Sequence, residues 1–146
     1  MTAQDWLVLD TAAPSAEEPL ARFLAGTADD ELLLPFCGNG HPLDFDQVEC
    51  ERPECGERSR EWRPVPKSGT VIASIVMHRL EKTYIAAEAP YPVLEVEFDS
   101  GHRLYLSTDR DPGAVAYQTG ERVDIAFVSV GDIRIPRVRS TEKRSG

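Results

Sequence analysis

Hydrophobic and polar positions alternate most strictly between Val93 and Phe98. Leu94, Val96 and Phe98 take one face there, and Glu95 and Glu97 the other. That period of two is a strand's. Asp99 to His102 (DSGH) supplies turn residues. Arg103–Ser107 then alternates again, with Leu104 and Leu106 inward and Arg103 and Tyr105 outward, so the two runs predict a hairpin. Upstream, Thr70–Arg79 (TVIASIVMHR) is β-rich and follows Gly69. Downstream, Val123–Val130 sets Val123, Ile125 and Phe127 on one side, and Gly131-Asp132 turns into Ile133–Val138. Asp109–Ala116 reads as one helical turn after Pro112. Five short strands in close succession suit a small closed barrel, of which the OB-fold is the first expectation and an SH3-like barrel the alternative.

The first half of the chain has a different texture. Ser15 to Glu18 (SAEE) has the form of a capping box ahead of Pro19. A short helix around 17–25 would share Leu20, Phe23 and Leu24 on one face and end at Gly26. Glu31 to Phe36 (ELLLPF) predicts a strand running into Cys37. From Cys37 to Pro66 periodicity fades, and Gly, Pro and charge dominate. Such a segment cannot order itself by apolar burial alone and needs a staple. The division expected is a helical segment over 1–30, a ribbon module over 31–66, a barrel over 67–139 and a basic tail over 140–146.

Composition narrows the function. The chain has 146 residues, 41% of them apolar, enough for its own core. No run approaches the ~20 apolar residues of a membrane helix. The start, MTAQDWLVLD, has acids and no basic n-region, so no secretory signal is expected. A net charge of −9 opposes generic nucleic-acid binding, which depends on neutralising phosphates. The charge is uneven, however. Residues 1–31 set Asp5, Asp10, Glu17, Glu18, Asp29, Asp30 and Glu31 against Arg22, whereas 133–146 set Arg134, Arg137, Arg139, Lys143 and Arg144 against Glu142. The ordinary reading of the basic stretch is a solvated end. The sharper one is a local site for an anion or partner, such as a phosphorylated cofactor. The 3 cysteines, Cys37, Cys50 and Cys55, are an odd number crowded into one window. That suits reduced thiols in the cytoplasm, and the crowding suits a metal.

Several pieces in order carry a family resemblance. They are Cys37-Gly38-Asn39-Gly40, Arg52-Pro53-Glu54-Cys55-Gly56, Glu61-Trp62, Ser68-Gly69-Thr70, His78-Arg79 and Pro90-Tyr91-Pro92-Val93. Asp99-Ser100-Gly101, Gly120, Val123 and Ile135-Pro136 continue the series. Over about residues 17–139 the chain resembles the accessory family of thiolase-fold enzymes, a rubredoxin-like zinc ribbon followed by an acyl-CoA-associated OB-fold. The resemblance implies a mainly β protein with a short N-terminal helix, a ribbon and a five-stranded barrel. It departs at two ligand positions, where Gly40 and Arg52 replace the family's cysteines. Two readings follow. In one, His41 and Cys50 substitute, and Cys37, His41, Cys50 and Cys55 form a structural Cys₃His zinc set. In the other, the ribbon has lost its metal, and Trp62, Phe36, Phe45 and prolines hold it together. A rubredoxin-type iron centre wants four thiolates.

The resemblance further implies a non-catalytic subunit that pairs with a thiolase-fold or ketoacyl-synthase-like protein as a hetero-oligomer. The joint reaction would make or break a carbon–carbon bond, or transfer an acyl group, on a coenzyme A thioester. His78, Arg79 and Tyr91 are its candidate contacts to the coenzyme A ligand. His78 and His102 read otherwise as surface or capping histidines, and Tyr84 and Tyr91 as residues closing the barrel end. No G-x-S-x-G, phosphate loop or spaced His/Asp pair occurs in the sequence. The other classes considered are a nucleic-acid-binding OB-fold with a zinc ribbon, and a stand-alone enzyme.

Overall fold

The computed structural model describes residues 7–10, 20–79, 81–82, 84–87, 90–108 and 117–140. Helix α1 spans Leu20–Ala28 and seats Phe23 and Leu24 in the core, with Leu20 against it. The expected helix is therefore present and runs on to Ala28, and the first residues of the expected span, 17–19, lie outside the described residues. Gly26 does not end it. A Cβ on Gly26 would come within 2.6 Å of Leu33 Cγ, so the glycine serves close packing of helix on strand. The capping-box residues 15–18 and the predicted turn over 109–116 lie outside the described residues.

Strand β1, Leu32–Cys37, pairs antiparallel with β2, Arg60–Val65, in a separate two-stranded sheet. The second of these strands was not anticipated. Its sequence, REWRPV, lacks an apolar period because long cations cover the aromatics. The Arg60 guanidinium lies 6.0 Å from the Trp62 ring centre, and the Arg63 guanidinium 5.2 Å from that of Phe36.

The remaining strands are β3 (Ser68–Met77), β4 (Tyr91–Phe98), β5 (Arg103–Leu106), β6 (Arg122–Val130) and β7 (Ile133–Ser140). They form one five-stranded antiparallel sheet in the order β5-β4-β3-β6-β7. The two edges meet through a parallel bridge between Thr108 and Val138, with the Val138 amide donating to the Ser107 carbonyl at 2.8 Å. This closure makes the sheet a small barrel of OB-fold type. Close approach is built in at its first strand: a Cβ on Gly69 would stand 2.7 Å from Val96 Cγ1 and 2.8 Å from the Glu97 carbonyl.

One apolar core runs through both sheets. Leu32 and Leu34 of β1 join Val71, Leu94, Val96, Phe98, Val123, Ile125 and Val138 of the barrel, with Phe23 and Leu24 of α1. Ribbon and barrel therefore share buried surface. Two residues depart from expectation here. Arg137, grouped by sequence with a solvated end, is wholly buried, and its guanidinium donates to the Thr108 carbonyl at 3.2 Å. His102, expected as a surface or capping histidine, is buried and so is not on the surface. The hairpin turn drives it under β1, where Nε2 donates to the Pro35 carbonyl at 2.7 Å. Its Nδ1 lies 2.7 Å from Ser100 Oγ, and its ring meets Phe36 edge-on at 4.8 Å. Burial holds the imidazole below its ordinary pKa, so the neutral form donates to Pro35. Among the described residues, no helix is long and apolar enough to cross a membrane.

Candidate functional site

Strand β1 delivers Cys37 to the open end of the ribbon, where two tight turns gather the other donors. In the first, the Gly40 amide donates to the Cys37 carbonyl and the Cys37 amide to the His41 carbonyl, both at 2.8 Å. Gly40 takes a positive φ of 86°, a conformation that glycine adopts without strain. Gly40 thus bends the chain so that the next residue, His41, faces back on Cys37. In the second turn the Cys55 amide donates to the Arg52 carbonyl at 3.0 Å, and Glu54 and Gly56 have φ of 66° and 60°. The Cys50 amide is tied to the Glu57 carbonyl at 2.9 Å, which directs its thiol to the same place.

The ligand atoms of Cys37, His41, Cys50 and Cys55 lie within 4.8 Å of one another. His41 Nδ1 is 3.5 Å from Cys37 Sγ and 3.4 Å from Cys50 Sγ, and the Cys37 and Cys55 sulfurs are 3.9 Å apart. A tetrahedral ion with bonds of ~2.3 Å to sulfur and ~2.0–2.1 Å to nitrogen requires edges of about 3.8 Å between sulfurs and about 3.6 Å between sulfur and nitrogen. The set therefore has the donors of a four-coordinate zinc site, and these three separations fall close to its edges. The four residues expected from sequence as ligands are brought together, and the cluster is compatible with a zinc ribbon. The three thiols are free.

The environment differs from thiol to thiol. The Asn39 side-chain amide donates to Cys55 Sγ at 3.4 Å and, with a backbone amide, holds Cys55 down at about 6. Burial pushes Cys50 up. The Arg60 guanidinium grips the Phe45 and Gln47 carbonyls, fixing the loop before Cys50. The Phe45 ring meets Phe23 tilted and Trp62 edge-on, at 5.1 and 5.8 Å between centres. Phe45 and Trp62 pack against the main core, whereas the cysteines cluster with Leu43. Asn39 and Arg60 were not singled out from sequence. Asn39 lies inside the first cysteine turn and Arg60 next to Glu61-Trp62, the only hints the sequence offers.

The other candidate residues lie on the barrel. His78 and Arg79 follow the last residue of β3 and are exposed. Tyr91 opens β4 directly opposite Met77 and is buried, while Tyr84 is 55% exposed. Tyr84 and its neighbours are held by the N-terminal segment: Leu9 donates to the Tyr84 carbonyl at 2.9 Å, and Ala86 to the Leu7 carbonyl at 2.6 Å.

These features define a class: a mainly β protein in which a ribbon with a Cys₃His cluster is fused to an OB-fold-like barrel. No family model matches the chain. The search of curated proteins likewise returns no match. Among solved structures the chain is similar to one described as the Ltp2-ChsH2(DUF35) aldolase, at 22% identity and a TM-score of 0.70. The alignment covers 89% of this chain and 100% of that one, so the likeness of fold takes in ribbon and barrel together.

Proposed function

We propose that this protein is a non-catalytic accessory subunit of a thiolase-fold enzyme, acting with it on a coenzyme A thioester. Retro-aldol cleavage is the reaction favoured, since the similar solved structure is an aldolase. The observation that carries this reading is the likeness of nearly the whole chain to a chain of that aldolase, added to the collinear motifs of the sequence. The barrel would lean against the partner's acyl-CoA pocket, with His78 and Arg79 reaching the ligand or the partner and Tyr91 closing the same barrel end behind them. Commitment of the other histidines supports a scaffold role. His102 spends both ring nitrogens on Ser100 and Pro35, and His41 faces two thiols.

Zinc in the Cys₃His set would be structural. The ion would tie the two turns of the ribbon to the end of β1, and through β1 to the shared core. Free thiols fit a reducing compartment, the cytoplasm.

The test is reconstitution. The chain is coexpressed with a thiolase-fold protein, taken from the neighbouring genes if one is encoded there, and the purified complex and each component are assayed for cleavage of a 3-hydroxyacyl-CoA. Association, with turnover only in the complex, supports the reading. Turnover by the isolated chain, or no association, contradicts it.

A further inference from the structure

The basic residues near the C-terminal end have a destination that the ribbon and the barrel end do not use. Arg134 and Arg139 of β7 line a cleft of about 490 Å³, together with Lys67, Asp30, Asp124 and Phe127. The Lys67 ammonium and the Arg134 guanidinium stand 5.6 and 5.5 Å from the Phe127 ring centre, so one half-buried aromatic positions two cations at the mouth. Arg139 is exposed and stands directly opposite Asp124 in the β6–β7 register. It makes no ion pair within 4.0 Å among the described residues.

One anion is already present. Asp30, in the turn after α1, has its carboxylate 2.9 Å from Lys67 Nζ and 3.7 Å from Arg134. The backbone there is left-handed, with φ of 62°, which a non-glycine residue adopts uncommonly. Its contact with Lys67 is close and that with Arg134 is long. An incoming anion can therefore take Arg134 and Arg139 without breaking the Lys67 pair. A cleft of this size exceeds the needs of a bare phosphate and suits a nucleotide-sized body.

We propose that this cleft binds the phosphoryl end of a nucleotide-type ligand through Arg134 and Arg139, with Asp30 as a competing internal anion. Coenzyme A as the source of that group rests on the accessory-subunit reading; a free nucleotide has the same chemistry.

The experiment is a calorimetric titration of the full chain with adenosine 3′,5′-bisphosphate, adenosine and inorganic phosphate, with coenzyme A as competitor. The bisphosphate binds more tightly than either fragment, and more weakly as salt rises. Arg139→Ala weakens it about tenfold, as loss of a charge-assisted hydrogen bond does. Asp30→Asn, which tolerates the left-handed backbone, tightens it, an effect that a merely structural aspartate would not give. Circular dichroism confirms that both variants fold. Displacement by coenzyme A identifies coenzyme A as the source; its failure to displace identifies a free nucleotide. No binding, equal binding of adenosine and bisphosphate, or an Arg139→Ala variant that binds unchanged overturns the proposal. Association with the thiolase-fold partner is measured separately, so a chain that associates without binding the bisphosphate refutes the cleft alone.

Discussion

Gly40 shows how a residue with no donor of its own can place one. It takes a positive φ and turns His41 onto Cys37. The Cys₃His set follows from that bend and from Cys50, held by the Glu57 carbonyl. Removing one donor leaves three, too few for a closed structural site. Cys55→Ala is therefore expected to lower zinc, measured by elemental analysis of natively purified protein, from about one equivalent to a small fraction. Retention of zinc in that variant would exclude Cys55 as a ligand. His102 makes a second prediction at this scale. Burial depresses its pKa, so the folded state disfavours the imidazolium that the unfolded chain forms below its ordinary value of 6.5. The stability it contributes is whole above 6.5 and is lost as pH falls from there through the folded value. Urea unfolding as a function of pH should show this loss, and His102→Gln should flatten it. An unchanged profile in the variant would place the acid sensitivity elsewhere.

Among the elements, those with a clean period were the legible ones. Leu94, Val96 and Phe98 alternate in sequence and are all buried in β4, and Leu106 follows suit in β5. The strand β2 was hidden because Arg60 and Arg63 lie over aromatic rings and Pro64 sits in a strand with a single partner. Its pairing depends on β1, which no local pattern announces. Arg137 was misread for a related reason: charge suggests solvent, and only closure of β7 onto Ser107 and Thr108 makes an interior site for its guanidinium. The ligand cluster was half legible, since crowding of cysteines is visible in sequence while the turns that aim them are not. At Gly69 close approach of β3 to β4 leaves no room for a methyl group. Gly69→Ala should cost about 1–3 kcal/mol in denaturant unfolding. A neutral outcome would mean that the two strands separate at no cost.

For the whole molecule, the decisive feature is a core that crosses from ribbon to barrel. Leu34 of β1 is fully buried in the same cluster as Val71 and Val138 of the barrel. Leu34→Ala should destabilise by about 2–5 kcal/mol. Because the core is continuous, ribbon and barrel should unfold in one transition, seen alike by tryptophan fluorescence and circular dichroism; two separated transitions would show independent modules. The proposed accessory role is tested most directly by turnover measured with and without the proposed thiolase-fold partner at matched concentrations. Cleavage of a coenzyme A thioester is expected to depend on both chains, with none from this chain by itself. Sustained cleavage by this chain in the partner's absence would contradict it.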